Sequence, residues 1–306
     1  MARRFPSVAI LAGFAVIYVL WGATFLAVKI GDATLPPLLL AALRFLAAGV
    51  ILYGWGWARG WRQPSAREWG SVALVSVPMF LIGYGVQFWA ETLVASGLTA
   101  VILALVPLWV AVLEAWAFRS EPASGKIVCG CVLGVAGMGV LMAGGGGAVH
   151  LPLWPVLALT LAALAWALGT VLIARLPMPQ AGMSAAAQML MGGAMLAAGA
   201  AATGEFQGLH WRAELTAPVL WSLAYLVLAG SVLAYAVFVW LLGRVAAVRV
   251  STYALVNPVV ALLLGWGWGG EALTASELAG SGIILVALAL VLSRSSRARA
   301  VTALVD

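Results

Sequence analysis

The stretch SVALVSVPMFLIGYGVQFWAETLVASGLTAVILALVPLWVAVLEAW, residues 71–116, decides the fold in two ways. Read alone, it falls within two apolar runs, 70–90 and 96–117. Each has the roughly 20 residues that a bilayer-spanning helix needs, and neither shows the short alternation of a barrel strand. Moved along by 151 positions, it also meets a partial copy of itself. Ser71 falls on Ser222, Ala73 on Ala224, Tyr84 on Tyr235, Val86 on Val237, Trp89 on Trp240, Ala95 on Ala246, Pro107 on Pro258 and Leu113 on Leu264. The Tyr, Trp and Pro coincidences carry the weight, because aliphatic matches arise from composition alone. Near the same offset Glu121 corresponds to Glu271 and Gly130 to Gly280, while Trp21-Gly22 resembles Trp166 with Gly169.

Working outward, similar runs lie at 8–28, 38–57, 127–143, 154–174, 183–202, 217–240, 247–268 and 278–292. The 306 residues are 64% apolar and 8% charged, where a soluble domain is about a quarter charged, so the class is an all-α membrane protein. Ten spans leave short loops and no room for an appended soluble domain. The first run, although it follows Arg3 and Arg4, is too long for a signal-peptide core and reads as a span. The duplication divides the chain into a five-helix unit at 1–146 and a second at 147–306 with a short basic tail. Because five is odd, homologous halves must lie in opposite orientations, as two inverted repeats around a central cavity. That geometry offers inward-facing and outward-facing states to one chain, which is the basis of alternating access.

Orientation follows from the basic residues. With the N-terminus inside, cytoplasmic segments hold Arg3, Arg4, Arg59, Arg62, Arg67, Arg119, Lys126, Arg175, Arg244, Arg249, Arg294, Arg297 and Arg299. The outer segments hold Lys29 and Arg212. The bias places both termini in the cytoplasm. The outer loops gather Asp32, Glu91, Glu205, Glu214, Glu271 and Glu277. The net charge of +6 therefore reflects topology rather than a nucleic-acid partner.

Motifs for ATP binding, serine nucleophiles and zinc are missing: Gly125-Lys126 is followed by Ile127, and neither GxSxG nor HExxH occurs. His150 and His210 fall in outer loops, and Cys129 and Cys131 read as small packing residues on different helix faces. The expectation is a non-enzyme without cofactor, metal or direct ATP use. Its partners are a small-molecule substrate and the bilayer, and a monomer is favoured.

Two ionisable residues lie inside the spans. Arg44 reads as snorkelling or holding helix-end carbonyls, with a substrate carboxylate as the alternative partner. Glu114 reads as a local ion pair with Arg119, with proton carriage as the alternative. With no carboxylate near the midplane, facilitated diffusion is favoured over proton coupling.

Aromatic residues supply the positive signal. Trp55, Trp57, Trp61, Trp69, Trp116, Trp154, Trp211, Trp221, Trp266 and Trp268 lie near span ends and suit interfacial belts. Deeper are Tyr18, Trp21, Phe80, Tyr84, Trp109 and Trp166, joined by Tyr235 and Tyr253, and these are the candidate cavity lining. Gln87 and Asn257 can donate and accept, and so orient a zwitterion without fixed charge; Ser251 and Thr252 lie close to Asn257. Pro107 and Pro258 each remove one helix donor and mark either static kinks or hinges.

The WGATF stretch, Ala42-Leu43-Arg44-Phe45, the Pro107 and Pro258 helices, and Glu121 and Glu271 resemble the drug/metabolite transporter superfamily, and within it the ten-helix EamA-type exporters. The Trp-rich chain looks like a YddG-type exporter of aromatic amino acids. The resemblance implies a bacterial inner-membrane exporter in which helices 1, 3, 4, 6, 8 and 9 surround the cavity, with 5 and 10 as peripheral supports. A broad exporter of drugs or small amino acids is the alternative, and a non-transporting scaffold or membrane enzyme a more distant one.

Overall fold

The computed structural model describes residues 8–119, 125–143, 153–245, 247–251, 253–271 and 273–292. Arg3, Arg4, Glu121, His150, Ala246, Thr252, Arg294, Arg297, Arg299, the Cys131 side chain and the boundary at 146/147 lie outside the described residues. Among the described residues every regular element is helical. We number the long helices α1 (Val8–Gly31), α2 (Pro37–Ala58), α3 (Ala66–Glu91), α4 (Ser96–Ala117), α5 (Gly125–Ala143), α6 (Leu153–Ile173), α7 (Ala181–Ala202), α8 (Ala217–Leu242), α9 (Tyr253–Gly267) and α10 (Ala275–Leu292). Seven of them, α1–α4 and α6–α8, are long and apolar enough to cross a membrane. Within α5, α9 and α10 lie the shorter apolar helices Val128–Gly137, Val256–Gly267 and Ala275–Ala287. The chain is a multi-pass membrane protein.

Local chemistry sets the helix starts. Pro37 and Pro218 occupy the first turns of α2 and α8, where a missing N–H costs nothing. Ser65 and Glu68 form a reciprocal capping box at the start of α3. Helix α4 is interrupted: Ser96–Leu103 and Val106–Val112 are joined through a turn at 104–105, and Pro107 sits in the first turn of the second piece. Both α3 and α8 contain an eight-residue π-helical stretch, Val77–Tyr84 and Leu226–Leu233. They are one of the two helix pairs that the 151-residue offset aligns, and their widened turns begin within two residues of that offset.

The packing maps onto itself when the halves are exchanged. Helix α2 lies along α7 and α5 along α10; α1 packs on α8 and α9, and α6 correspondingly on α3 and α4. The α2–α7 contact is reciprocal in detail. A Cβ on Gly49 would stand 2.9 Å from Leu190, and one on Gly193 would stand 2.8 Å from the Leu46 nitrogen. Both pairs relate by the same 144-residue step, which is how a self-complementary interface is built. Small residues there let two helices approach closely without any hydrophobic drive from lipid.

Two sequence readings change here. Glu114 pairs with Arg175 at the end of α6, at 2.6 and 3.1 Å, rather than with Arg119, because the α6 terminus lies beside the end of α4. Arg119 itself turns the chain with φ of 50°. Cys129 is exposed on α5 rather than packed. The span-end Trp55, Trp57, Trp116, Trp154, Trp221, Trp266 and Trp268 are exposed on the helix surfaces, while Trp21 and Trp166 keep only 5% and 8% of their surface.

Candidate functional site

Trp21 sets the centre of the site. Thr24 and Phe25 follow it on the same face of α1, since residues three and four apart are neighbours on a helix. Together with Gly83, Tyr84 and Gln87 of α3, Leu103 and Val106 of α4, Ala162 and Trp166 of α6, and Tyr253 and Asn257 of α9, they enclose a cavity. Its volume is about 60 Å³, room for several waters. The lining carries no formal charge. Leu103 and Val106 flank the interruption of α4, so the irregular backbone faces the cavity, where membrane proteins tolerate it.

The rings hold one another edge to face, except Trp21 and Phe238, which are tilted at 50°. Trp21 stands 4.9 Å from Tyr253, 5.0 Å from Phe238 and 6.0 Å from Trp166, and Tyr84 stands 4.9 Å from Trp166, centroid to centroid. Their polar tips are fixed too. Trp166 Nε1 donates to the Tyr253 hydroxyl at 3.0 Å, and Trp21 Nε1 to the Gly230 carbonyl at 2.9 Å. Gln87 donates to Glu91 Oε1 at 2.9 Å. With its amide turned so that the nitrogen meets acceptors, Asn257 donates to the main-chain oxygens of Tyr18 and Tyr253 at 2.9 and 3.2 Å. Pro258, inside α9, leaves the Ala254 carbonyl without its usual helical donor.

Of the residues singled out from sequence, Trp21, Tyr84, Gln87, Trp166, Tyr253 and Asn257 line this cavity. Tyr18 contributes its carbonyl to Asn257. Phe80 and Tyr235 form the layer behind: Phe80 packs 4.9 Å from Phe45 and 5.5 Å from Tyr235, whose hydroxyl donates to Gln188 at 2.8 Å. Trp109 lies off the lining, half-buried, with its indole nitrogen lacking a partner among the described residues. Six lining positions were missed: Thr24, Phe25 and Ala162 lie one helical turn from Trp21 or Trp166 and Gly83 adjoins Tyr84, so spacing identifies their face, whereas Leu103 and Val106 come from the interruption of α4, which the sequence does not show.

Two charged groups stand behind the wall. Arg44 is 1% exposed and points inward instead of snorkelling. Its Nε donates to Ser231 Oγ at 2.8 Å, and the guanidinium lies 4.7 Å from the Phe45 ring centre and 5.3 Å from that of Tyr84. Ring faces and a hydroxyl give it partners in the interior that a snorkelling side chain would forgo. Glu91, expected among exposed loop acids, is 0% exposed because α3 continues to it and Lys29 closes over its main chain, donating to the carbonyls of Glu91 and Val94 at 2.7 and 3.3 Å.

The two ends of the bundle differ. At the end where α1 gives way to α2, Glu205 accepts from the Leu38 and Leu39 amides and Glu271 from those of Ser96 and Gly97. Carboxylates of the second half thus cap helix N-termini of the first, a charge placement that the helix dipole favours. Near them the Asp32 carboxyl is pushed up to about 8, by burial first, with Lys29 opposing and Glu205 adding. Toward the other end, α1, α2, α7 and α8 border a wider cleft of about 970 Å³, lined in part by Trp55, Trp61, Trp240 and Arg244.

Comparison with known proteins is consistent across sequence and structure. The model of the EamA-like transporter family matches residues 8–143 and again 153–293. The Uncharacterized inner membrane transporter YedA of Escherichia coli K12 is 34% identical over 280 residues, covering 90% of this chain and 88% of that one. The Uncharacterized transporter YvbV of Bacillus subtilis is 28% identical over 293 residues, 95% and 93% of the two chains. A Probable amino-acid metabolite efflux pump of Salmonella typhimurium is 27% identical over 291 residues, 89% and 91%. A solved crystal structure with 25% identity superposes at a TM-score of 0.66 over 96% of this chain and 100% of that one. The chain, a membrane transporter, belongs to the EamA-like transporter family.

Proposed function

We propose that this transporter exports aromatic amino acids and related small amphipathic metabolites by alternating access. One observation carries the reading: a small cavity walled by Trp21, Tyr84, Trp166 and Tyr253, whose polar groups, on Gln87, Asn257 and Thr24, are all uncharged. Ring faces and edges select a planar side chain, and neutral dipoles accommodate both ends of a zwitterion. A relative named as an amino-acid metabolite efflux pump favours the same class of solute.

The reading assigns ten membrane crossings in two inverted five-helix halves, 1–146 and 147–306. The twice-matching family model, the exchangeable packing and the paired π stretches support the division. Both termini lie in the cytoplasm of a bacterium whose inner membrane holds the protein, which puts the end with Asp32 outside and the wide cleft inside. Movement occurs at Pro107, beside the interruption of α4, and at Pro258, inside the continuous α9. The protein acts as a monomer, catalyses no covalent reaction and uses neither cofactor nor ATP.

The test is competition against labelled tryptophan in proteoliposomes. Phenylalanine and tyrosine inhibit exchange on this reading, and threonine does not. Equal inhibition by threonine or by organic cations identifies a broad exporter instead, and no flux of any solute identifies a non-transporting protein.

A further inference from the structure

Glu91 is a carboxyl group in an unusual position. It is fully buried at the end of α3, and one of its oxygens, Oε1, accepts from Gln87, which lines the cavity one helical turn away. The other oxygen, Oε2, is buried without a hydrogen-bond partner among the described residues. The charged groups around it form no ion pair with Glu91 among the described residues. Lys29 of α1 spends its ammonium on main-chain carbonyls, among them that of Glu91 itself. Arg44 of α2 binds Ser231 and faces three aromatic rings. Asp32, in the turn after α1, adds a second buried carboxyl whose oxygens have no partner among the described residues, and Tyr84 on α3 lies toward Arg44. The α6 helix, the other wall against this part of α3, carries no titratable residue between Leu153 and Ile173, and neither does Ser96–Leu103 of α4.

A carboxylate with one oxygen unpartnered in a sealed interior leaves a charge with incomplete compensation, whereas the neutral acid leaves one polar atom unpaired, a much smaller cost. The sealed arrangement therefore holds a proton. Opening either mouth of the cavity lets water reach Gln87 and then Glu91, and the nearby Lys29 and Arg44 then favour the ionised form. We propose that Glu91 is the proton-binding carboxyl of this transporter, exchanging one proton inward for each solute carried outward. The carboxylate takes a proton from the outside once solute has left, and releases it to the cytoplasmic side before solute binds again. This rests on the transport reading above and replaces facilitated diffusion of the solute with proton-driven exchange.

The experiment uses full-length protein in liposomes holding equal labelled tryptophan and equal potassium inside and out, with valinomycin to hold the membrane potential at zero and the outside one pH unit more acid. One proton per solute sustains about a tenfold outside-to-inside ratio of tryptophan. The wild type reaches that ratio, and a trapped pH dye reports acidification of the lumen as tryptophan leaves; Glu91→Gln stays at a ratio of one. A wild-type ratio of one with an unmoved lumen, while labelled and unlabelled tryptophan still exchange, overturns the proton coupling and leaves the transport reading standing. Glu91→Gln reaching the wild-type ratio overturns the assignment to Glu91. Absence of any tryptophan exchange in the wild type overturns both. Should Glu91→Gln fail to fold, Glu91→Asp shifts the pH midpoint of efflux, and an unmoved midpoint overturns the assignment.

Discussion

The indole of Trp21 reaches across from α1 to the carbonyl of Gly230, 2.9 Å away in the π-helical stretch of α8. The bond joins the two halves of the chain at the edge of the cavity, where a widened helical turn turns a main-chain oxygen toward a neighbouring donor. Gly230 has no room for a side chain, since a Cβ would lie 2.7 Å from Thr24 Cγ2 and 3.0 Å from the Arg44 guanidinium. Trp21→Phe, which keeps a ring and removes the donor, is predicted to cost about 1 kcal/mol, the scale of interhelical hydrogen bonds in membranes. Gly230→Ala disturbs the same place by pressure instead of loss. Thermal unfolding in detergent, read beside tryptophan exchange, checks both: each substitution lowers the melting temperature and the exchange rate.

Trp166 and Trp109 read alike in the sequence, and both were candidates for the lining. The structure separates them. Trp166→Ala removes a cavity wall and the partner of Tyr253, and lowers tryptophan exchange at least tenfold. Trp109→Ala, off the lining, leaves exchange within about twofold of wild type, the range of an interaction worth under half a kcal/mol. Equal losses in the two variants contradict this placement of the cavity.

A pH effect on stability follows from Asp32. Its folded-state pKa of about 8 lies above its ordinary value of 3.8, so the folded protein holds more protons than the unfolded chain between those limits. Stability from this group is full below about pH 4 and falls as the pH rises toward 8. Asp32→Asn removes the titration. The difference in melting temperature between variant and wild type should grow with pH across that window and level off above it.

Glu271 holds the N-terminus of the α4 helix through the amides of Ser96 and Gly97, at 2.7 and 3.2 Å. Glu271→Ala removes both bonds and should cost about 1 kcal/mol, the usual cost of losing a cap. Hydrogen exchange locates the effect: the amides of Ser96 and Gly97 lose protection, while those in the α2–α7 contact keep theirs.

Much of the architecture was legible because duplication leaves marks that substitution erases slowly. Tyr84 with Tyr235 aligned the two helices that turn out to share π stretches, while Pro107 and Pro258 aligned α4, which is interrupted, with α9, which carries its proline inside a continuous helix. The aromatic wall was legible where ring type and depth agreed, as for Trp21 and Trp166. Helix phase was not. Trp109 and Trp166 lie at similar depth, and only the direction each helix faces decides which meets the cavity. Charge at run ends misled for a related reason. Glu91 and Arg44 stand where an isolated helix meets water or headgroups, yet neighbouring helices and the Lys29 side chain enclose them. Glu114 illustrates the same limit, since its partner Arg175 is distant in sequence and adjacent in space.

The central claim is that one cavity opens in turn to each side of the membrane, and labelling of a single cysteine tests it most directly. With Cys129 and Cys131 replaced by Ala, Val106→Cys places a thiol on the lining beside the α4 interruption. A membrane-impermeant maleimide applied to right-side-out and to inverted vesicles should label it from both sides, with saturating tryptophan slowing both reactions. Labelling from neither side, or from one side alone whatever solute is present, contradicts the account.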